Sequence, residues 1–85
     1  IVTANEAVIV DFKTNRPAPE RIEDAPESYI AQMATYRAVL SARLKGRKVR
    51  CALVWTDGPS VMPIPDHMLD SALSRLVNPD KAAVG

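Results

Sequence analysis

The sequence predicts a mixed α/β (α+β) domain in the order β-hairpin, long helix, β-hairpin, helix. Three observations carry that expectation. Ala7-Val8-Ile9-Val10 is an unbroken apolar run that passes into Asp11-Phe12-Lys13, a strand-length pattern. Residues 24–45 repeat apolar side chains at the helical period. Val49–Trp55 is strand-like again and ends in Thr56-Asp57-Gly58-Pro59, a turn composition. Strands and helices in that order form one sheet covered by helices.

At the start, Ile1-Val2-Thr3 reads as the end of a strand and Ala4-Asn5-Glu6 as a turn. Asn5 is the residue there that best tolerates a left-handed backbone. Residues 1–13 then make a hairpin. The apolar run lacks polar alternation, which points to a strand covered on both faces. Asp11 and Lys13 share one face of it and Phe12 takes the other. Opposite charges at the end of a covered strand are costly unless paired, hydrated or bound to a metal. The simpler alternative is an exposed pair of little energetic worth.

Asn15–Ala25 is a polar loop in which Pro17 and Pro19 exclude a helix or a central strand. Asp24 opens the long helix, with Glu27 at capping-box spacing and Pro26 in the first turn. The helix runs to Leu44 or Lys45, and Gly46 stops it. Tyr29, Met33, Tyr36 and Leu40 form its apolar stripe, and Gln32 lies beside it. A buried amide needs hydrogen-bond partners, whereas one at the rim is served by water.

Val49–Trp55 turns Cys51, Leu53 and Trp55 to one face and Arg50, Ala52 and Val54 to the other. Val61–Ile64 returns as a short strand that Pro63 confines to a sheet edge. A last helix opens at Pro65-Asp66 and runs to about Val77, its apolar face made of Met68, Leu69, Ala72, Leu73 and Leu76. Residues 1–77 make the domain, and 78–85 are expected to be a flexible tail.

Eighty-five residues, 47% hydrophobic and 25% charged, describe one small globular domain or part of one. The net charge of +1 exerts no global pull on nucleic acid. Any basic surface is local, and Arg16, Arg21, Arg37, Arg43, Lys45, Arg47, Lys48 and Arg50 concentrate in the middle of the chain. The single cysteine, Cys51, allows no internal disulfide. It fits a reducing, cytoplasmic setting and a small core residue. No apolar run reaches membrane-spanning length. His67, the lone histidine, has no second ligand at metal spacing. The chain starts inside a strand without a methionine, so a fragment of a longer polypeptide is expected.

A Gly-rich phosphate loop, a G-x-S-x-G elbow, a zinc ligand set and a supported Cys/His pair are all missing. What remains is Asp11 and Lys13, the helix residues Tyr29, Gln32 and Tyr36, and the basic segment. A carboxylate at a strand end can hold Mg²⁺, with the Phe12 carbonyl as another oxygen ligand. A lysine two residues on could orient a metal-bound water or stabilise charge building on phosphorus. That set suits metal-dependent phosphodiester hydrolysis, although one carboxylate is few for a tight site. Asp57 is a second acid for which turn chemistry is the simpler role.

Val8-Ile9-Val10-Asp11-Phe12-Lys13-Thr14-Asn15, followed by Tyr29-Ile30-Ala31-Gln32-Met33-Ala34-Thr35-Tyr36, resembles the (D/E)-x-K and Q-x-x-x-Y pattern of RecB-like nucleases of the PD-(D/E)XK, restriction-endonuclease-like superfamily. Asp11–Arg16 with Pro17, and Ala52–Gly58, most resemble the C-terminal nuclease domain of bacterial AddA-type helicase–nucleases in their alphaproteobacterial form. The likeness covers almost the whole chain. It implies a partial restriction-endonuclease-like core in which 1–77 is the back half of the nuclease domain. Asp11 would be a metal ligand for Mg²⁺ or Mn²⁺ with the Phe12 carbonyl assisting, and Lys13 the catalytic lysine. Gln32, Tyr36 and, with lower weight, Tyr29 would line the active site or the DNA strand.

The implied activity is DNA exonuclease, in a parent that uses ATP in a helicase domain outside this chain to process linear double-stranded ends and single strands for recombination repair. An AddB-type subunit would be its partner. The family also has a metal-binding Asp in a G-x-x-D-R motif on the preceding strand, which would stand before Ile1. The chain alone is therefore expected to bind metal and to catalyse poorly, and self-association through an exposed sheet edge is also expected. The rival readings are another RecB-like nuclease, of Cas4 or phage-exonuclease type, and a non-catalytic DNA- or protein-binding module on the same fold.

Overall fold

The structure, a computed structural model, describes residues 1–78, so all of the expected 78–85 tail but Asn78 lies outside the described residues. The elements are β1 (Glu6–Lys13), a 3-10 turn (Ile22–Asp24), α1 (Glu27–Arg43), β2 (Lys48–Trp55), β3 (Ser60–Ile64) and α2 (Asp66–Val77). The fold is mixed α+β: a three-stranded sheet in the order β1-β2-β3, with two helices. β1 and β2 run parallel, from Glu6 beside Lys48 to Lys13 beside Trp55, and α1 is the crossover between them. β3 returns antiparallel to β2 across the 56–59 turn, with Cys51 opposite Ile64 and Val54 opposite Val61. Pro63 thus lies on an edge strand, as expected.

Both helices contribute to one core on one face of the sheet. Trp55, Leu53, Ile30, Met33 and Leu69 are its largest fully buried side chains, joined by Cys51, Ile64, Ala34 and Ala72. Each large apolar side chain withdrawn from water in this way contributes about 1.5–3 kcal/mol. Gly46, just past α1, has φ +84°, which a residue with a Cβ rarely adopts. α2 starts behind Pro65 and ends at Val77, matching the expected bounds.

Several expectations are corrected. β1 is covered on one face only: Ala7 is buried, whereas Val10 is 38% and Phe12 67% exposed. β1 is an edge strand, so only β2, which supplies most of the buried strand residues, lies between neighbours on both sides. The first hairpin is reduced to one bridge, Val2 with Ala7. Its turn closes through Thr3, whose N–H donates to the Glu6 carbonyl (2.7 Å) and whose Oγ1 accepts from the Glu6 N–H (3.1 Å). Asn5 keeps a negative φ, because no left-handed residue is needed there.

α1 starts at Glu27 rather than Asp24. Pro26 occupies the N-cap position with ψ 132° and makes no side-chain cap. Asp24 lies in the preceding 3-10 turn and pairs with Arg21 at 3.2 Å, while Glu27 pairs with Arg75 of α2. The buried stripe of α1 is Ile30, Met33 and Ala34, about one residue round from the expected one. Small Ala34 permits close approach to the sheet, and Tyr36 stays 47% exposed. On α2, Leu69 and Ala72 are buried, but Leu76 is exposed.

Candidate functional site

The candidate residues gather at the carboxyl ends of the two parallel strands, where open α/β sheets hold their ligands. β1 ends at Lys13 beside Trp55, the last residue of β2. Thr56 closes this end: its N–H donates to the Lys13 carbonyl at 3.0 Å and its Oγ1 reaches the same oxygen at 3.3 Å. Strand alternation places Asp11 and Lys13 on the helix side, and Lys13 Nζ lies 3.0 Å from Asp11 Oδ2. The Lys13 side chain is 17% exposed and that of Asp11 29%, so the pair is partly withdrawn from solvent. The ammonium also sits 4.1 Å from the centroid of the Tyr29 ring, within cation–π range.

Tyr29 is placed from two sides. Its hydroxyl donates to Asn15 Oδ1 at 2.9 Å, and its ring meets Trp55 at 6.2 Å between centroids, tilted by 39°. Asn15, two residues past Lys13, is a member that sequence reasoning missed. The signal was its position directly behind the strand end, in a loop whose side chains must fold back over the sheet. Thr56 was missed likewise, as the first residue of a turn.

The backbone carbonyls add a further feature. In a parallel ladder each residue bonds to one neighbouring strand on one side only, and the next residue faces the other way. The carbonyls of Asn5 and Lys13 accept from β2 or its flanks. The odd residues of β1 therefore face β2, and the carbonyl of Phe12 points to the outer edge. Among the described residues no strand pairs it there.

Gln32 and Tyr36 lie further along α1. Gln32 Nε2 donates to the Tyr36 hydroxyl at 3.0 Å, and both side chains are exposed. They share the exposed flank of α1 with Tyr29, three and seven residues away, but make no hydrogen bond or ion pair with Asp11 or Lys13. Asp57 does not join the site: its Oδ2 accepts the Ala18 N–H at 3.1 Å and ties the 15–25 loop to the β2–β3 turn.

The basic segment is not beside the site. Lys48 and Arg50 lie at the start of β2, five or more residues from the Lys13 end, which is roughly 20 Å along a strand. Most of its charges are already used: Lys48 on Asp66 (2.6 Å), Arg50 on Glu6 (3.0 Å), Arg37 on Asp66 and Asp70, and Arg47 on the Thr3 carbonyl (2.9 Å). Among the described residues, Arg16, Arg43 and Lys45 make no ion pair, and of these only Arg16 follows the site end of β1.

Fit to a divalent cation can be judged from the donors present. Asp11 and the Phe12 carbonyl are hard oxygens of the kind Mg²⁺ takes, and Mg²⁺ is commonly held by one or two carboxylates with water and phosphate completing its shell. No group of three His, Cys, Asp or Glu side chains able to hold a metal exists among the described residues. The donors match in kind and support a weak site. No helix among the described residues is long and apolar enough to cross a membrane. Comparison of the chain with protein-family models, with curated proteins and with solved structures finds no match.

Proposed function

We propose that this chain is the catalytic-lysine half of a metal-dependent deoxyribonuclease: a DNA exonuclease module of a cytoplasmic, AddA-type helicase–nuclease that acts in double-strand break repair with an AddB-type partner. The observation that carries the reading is the Asp11–Lys13 pair at the carboxyl end of β1, with the Phe12 carbonyl on the unpaired side of the same strand. Asp11 and that carbonyl would hold Mg²⁺ or Mn²⁺. The ion would supply Lewis acidity at a phosphate and lower the pKa of water.

Lys13 then has two roles. Without a cation its ammonium neutralises Asp11. Beside a phosphate held at Asp11 the same ammonium would stabilise developing negative charge. Tyr29 and Asn15 restrict where that ammonium can go. Gln32 and Tyr36 offer an amide and a hydroxyl along the exposed flank of α1, suited to contact with a DNA strand. With the basic segment occupied and distant, phosphate contact near the site falls to Lys13 and Arg16. The salt dependence of DNA binding should then be shallow, on the order of one or two released counterions.

The test is Mg²⁺- or Mn²⁺-dependent cleavage of linear DNA by the full-length polypeptide that carries these residues, compared with its Asp11→Ala and Lys13→Ala variants. Loss of cleavage in both, with ATPase activity retained, supports the reading. Unchanged cleavage in Lys13→Ala would assign this chain to a non-catalytic module on the same fold.

A further inference from the structure

Lys13 is held at both ends. Thr56 fixes its backbone, with N–H and Oγ1 both on the Lys13 carbonyl at 3.0 and 3.3 Å. Its ammonium lies 3.0 Å from Asp11 Oδ2 and 4.1 Å from the centroid of the Tyr29 ring. Tyr29 is fixed in turn, by its hydroxyl on Asn15 Oδ1 at 2.9 Å and by its ring against fully buried Trp55. Among the described residues no other cation pairs with Asp11. A lysine at an open strand end keeps most of its rotamer freedom. This one is only 17% exposed, between a carboxylate and the face of an aromatic ring. The charge of Asp11 is thus balanced by a group built into the same strand.

We propose that Lys13 is the resident counter-ion of Asp11 and sets how tightly the site takes a divalent cation: the ammonium opposes the metal, and Tyr29 holds the ammonium where it does so. This role rests on the reading of Asp11 as a metal ligand and adds to it a restraint on metal loading. Two cations served by one carboxylate repel each other. At the dielectric of water, a unit charge about 5 Å from a dication already costs about tenfold in affinity. Partial burial of the pair raises that cost, because screening by solvent falls. The ammonium also occupies Oδ2, so a metal that takes that oxygen competes for it directly. Tyr29 adds to the restraint through the cation–π contact, which the ammonium must give up to leave.

The test is Mn²⁺ titration of the ¹⁵N-labelled chain and its variants, read as a dissociation constant from paramagnetic broadening at the amides of residues 11–14. Lys13→Met removes the charge and keeps an unbranched stem that packs well on an aromatic ring. It should bind Mn²⁺ about tenfold more tightly than the native chain, or more. Lys13→Arg keeps the charge and should stay within about threefold of the native constant. The double variant Asp11→Asn, Lys13→Met should lose the tightened binding. In the metal-free native chain the Lys13 Hε protons, shielded by the Tyr29 ring, should resonate upfield of those of the other lysines. A Lys13→Met constant no tighter than the native one, equal tightening in Lys13→Arg, or unshifted Lys13 Hε resonances would overturn the proposal and leave Asp11 as a ligand. Broadening that avoids residues 11–14 in the native chain and in Lys13→Met alike would overturn the metal reading, and the proposal with it.

Discussion

Tyr29 ties the candidate site to the core, and its truncation in two steps separates the forces that hold Lys13. Tyr29→Phe removes only the hydroxyl donated to Asn15 at 2.9 Å, a net loss of about 1 kcal/mol for a partly buried bond. Tyr29→Leu removes in addition the ring under the Lys13 ammonium, 4.1 Å away, and the ring contact with Trp55 at 6.2 Å. The cation–π contact contributes about 0.5–1 kcal/mol and the aromatic pair about 0.5–1.5 kcal/mol. The leucine variant should therefore lose about 2–3.5 kcal/mol in all. Total stability for a chain of this size is about 4–13 kcal/mol. Urea unfolding followed by Trp55 fluorescence is the assay. With a slope of about 1 kcal/mol per molar urea, the midpoint should fall by about 1 M for the phenylalanine variant and by about 2–3.5 M for the leucine variant. Equal midpoints for the two variants would refute the claim that the ring itself holds Lys13 and Trp55. A phenylalanine variant as stable as the native chain would refute the role given to Asn15.

Other predictions follow from single contacts. Leu53→Ala, at a fully buried position on the central strand, should cost about 2–5 kcal/mol and abolish cooperative unfolding at physiological temperature. Gly46→Ala meets no atom within 4 Å of its new Cβ, yet φ is +84°; it should cost about 1 kcal/mol and lower the melting temperature by about 4–8 °C. Burial pushes the Cys51 thiol up to about 11, so alkylation at mildly alkaline pH should be slow in the native chain and fast in urea. The Lys48 ammonium hydrogen-bonded to Asp66, helped by Arg37 and Arg50, holds that carboxyl below its ordinary range. The resulting stabilisation is present above about pH 4 and is lost as pH falls through the folded-state value. Asp66→Asn should accordingly be less stable than the native chain near neutrality, and the difference should vanish in acid unfolding curves.

What could be read from the residues was mostly what local chemistry dictates. Gly46 and Pro65 bound the helices as expected, and Pro63 falls on the edge strand. The Asp11–Lys13 pairing needed only the strand's period of two. Features that depend on partners distant in sequence were not legible. Asp24 has capping-box spacing, but the chain through Pro26 remains extended and Arg21 takes the carboxylate. The buried face of α1 is chosen by its fit to β2, which favours Ile30 and Ala34 over the larger Tyr36. Clustering of Arg and Lys in the middle of the sequence implied a local basic surface. The parallel register instead sends Lys48 and Arg50 to the far end of the sheet, where Asp66 and Glu6 neutralise them. Asn15 joined the site only because the loop after β1 folds back onto Tyr29.

The central claim, that Asp11 and the Phe12 carbonyl hold a divalent cation, is tested most directly by Mn²⁺ titration of the ¹⁵N-labelled chain. Paramagnetic broadening should begin at the amides of residues 11–14 and be lost in Asp11→Asn. Broadening centred on Asp66 and Asp70 instead, and unchanged in Asp11→Asn, would contradict the account: Asp11 and Lys13 would then be an ion pair that closes the end of a strand.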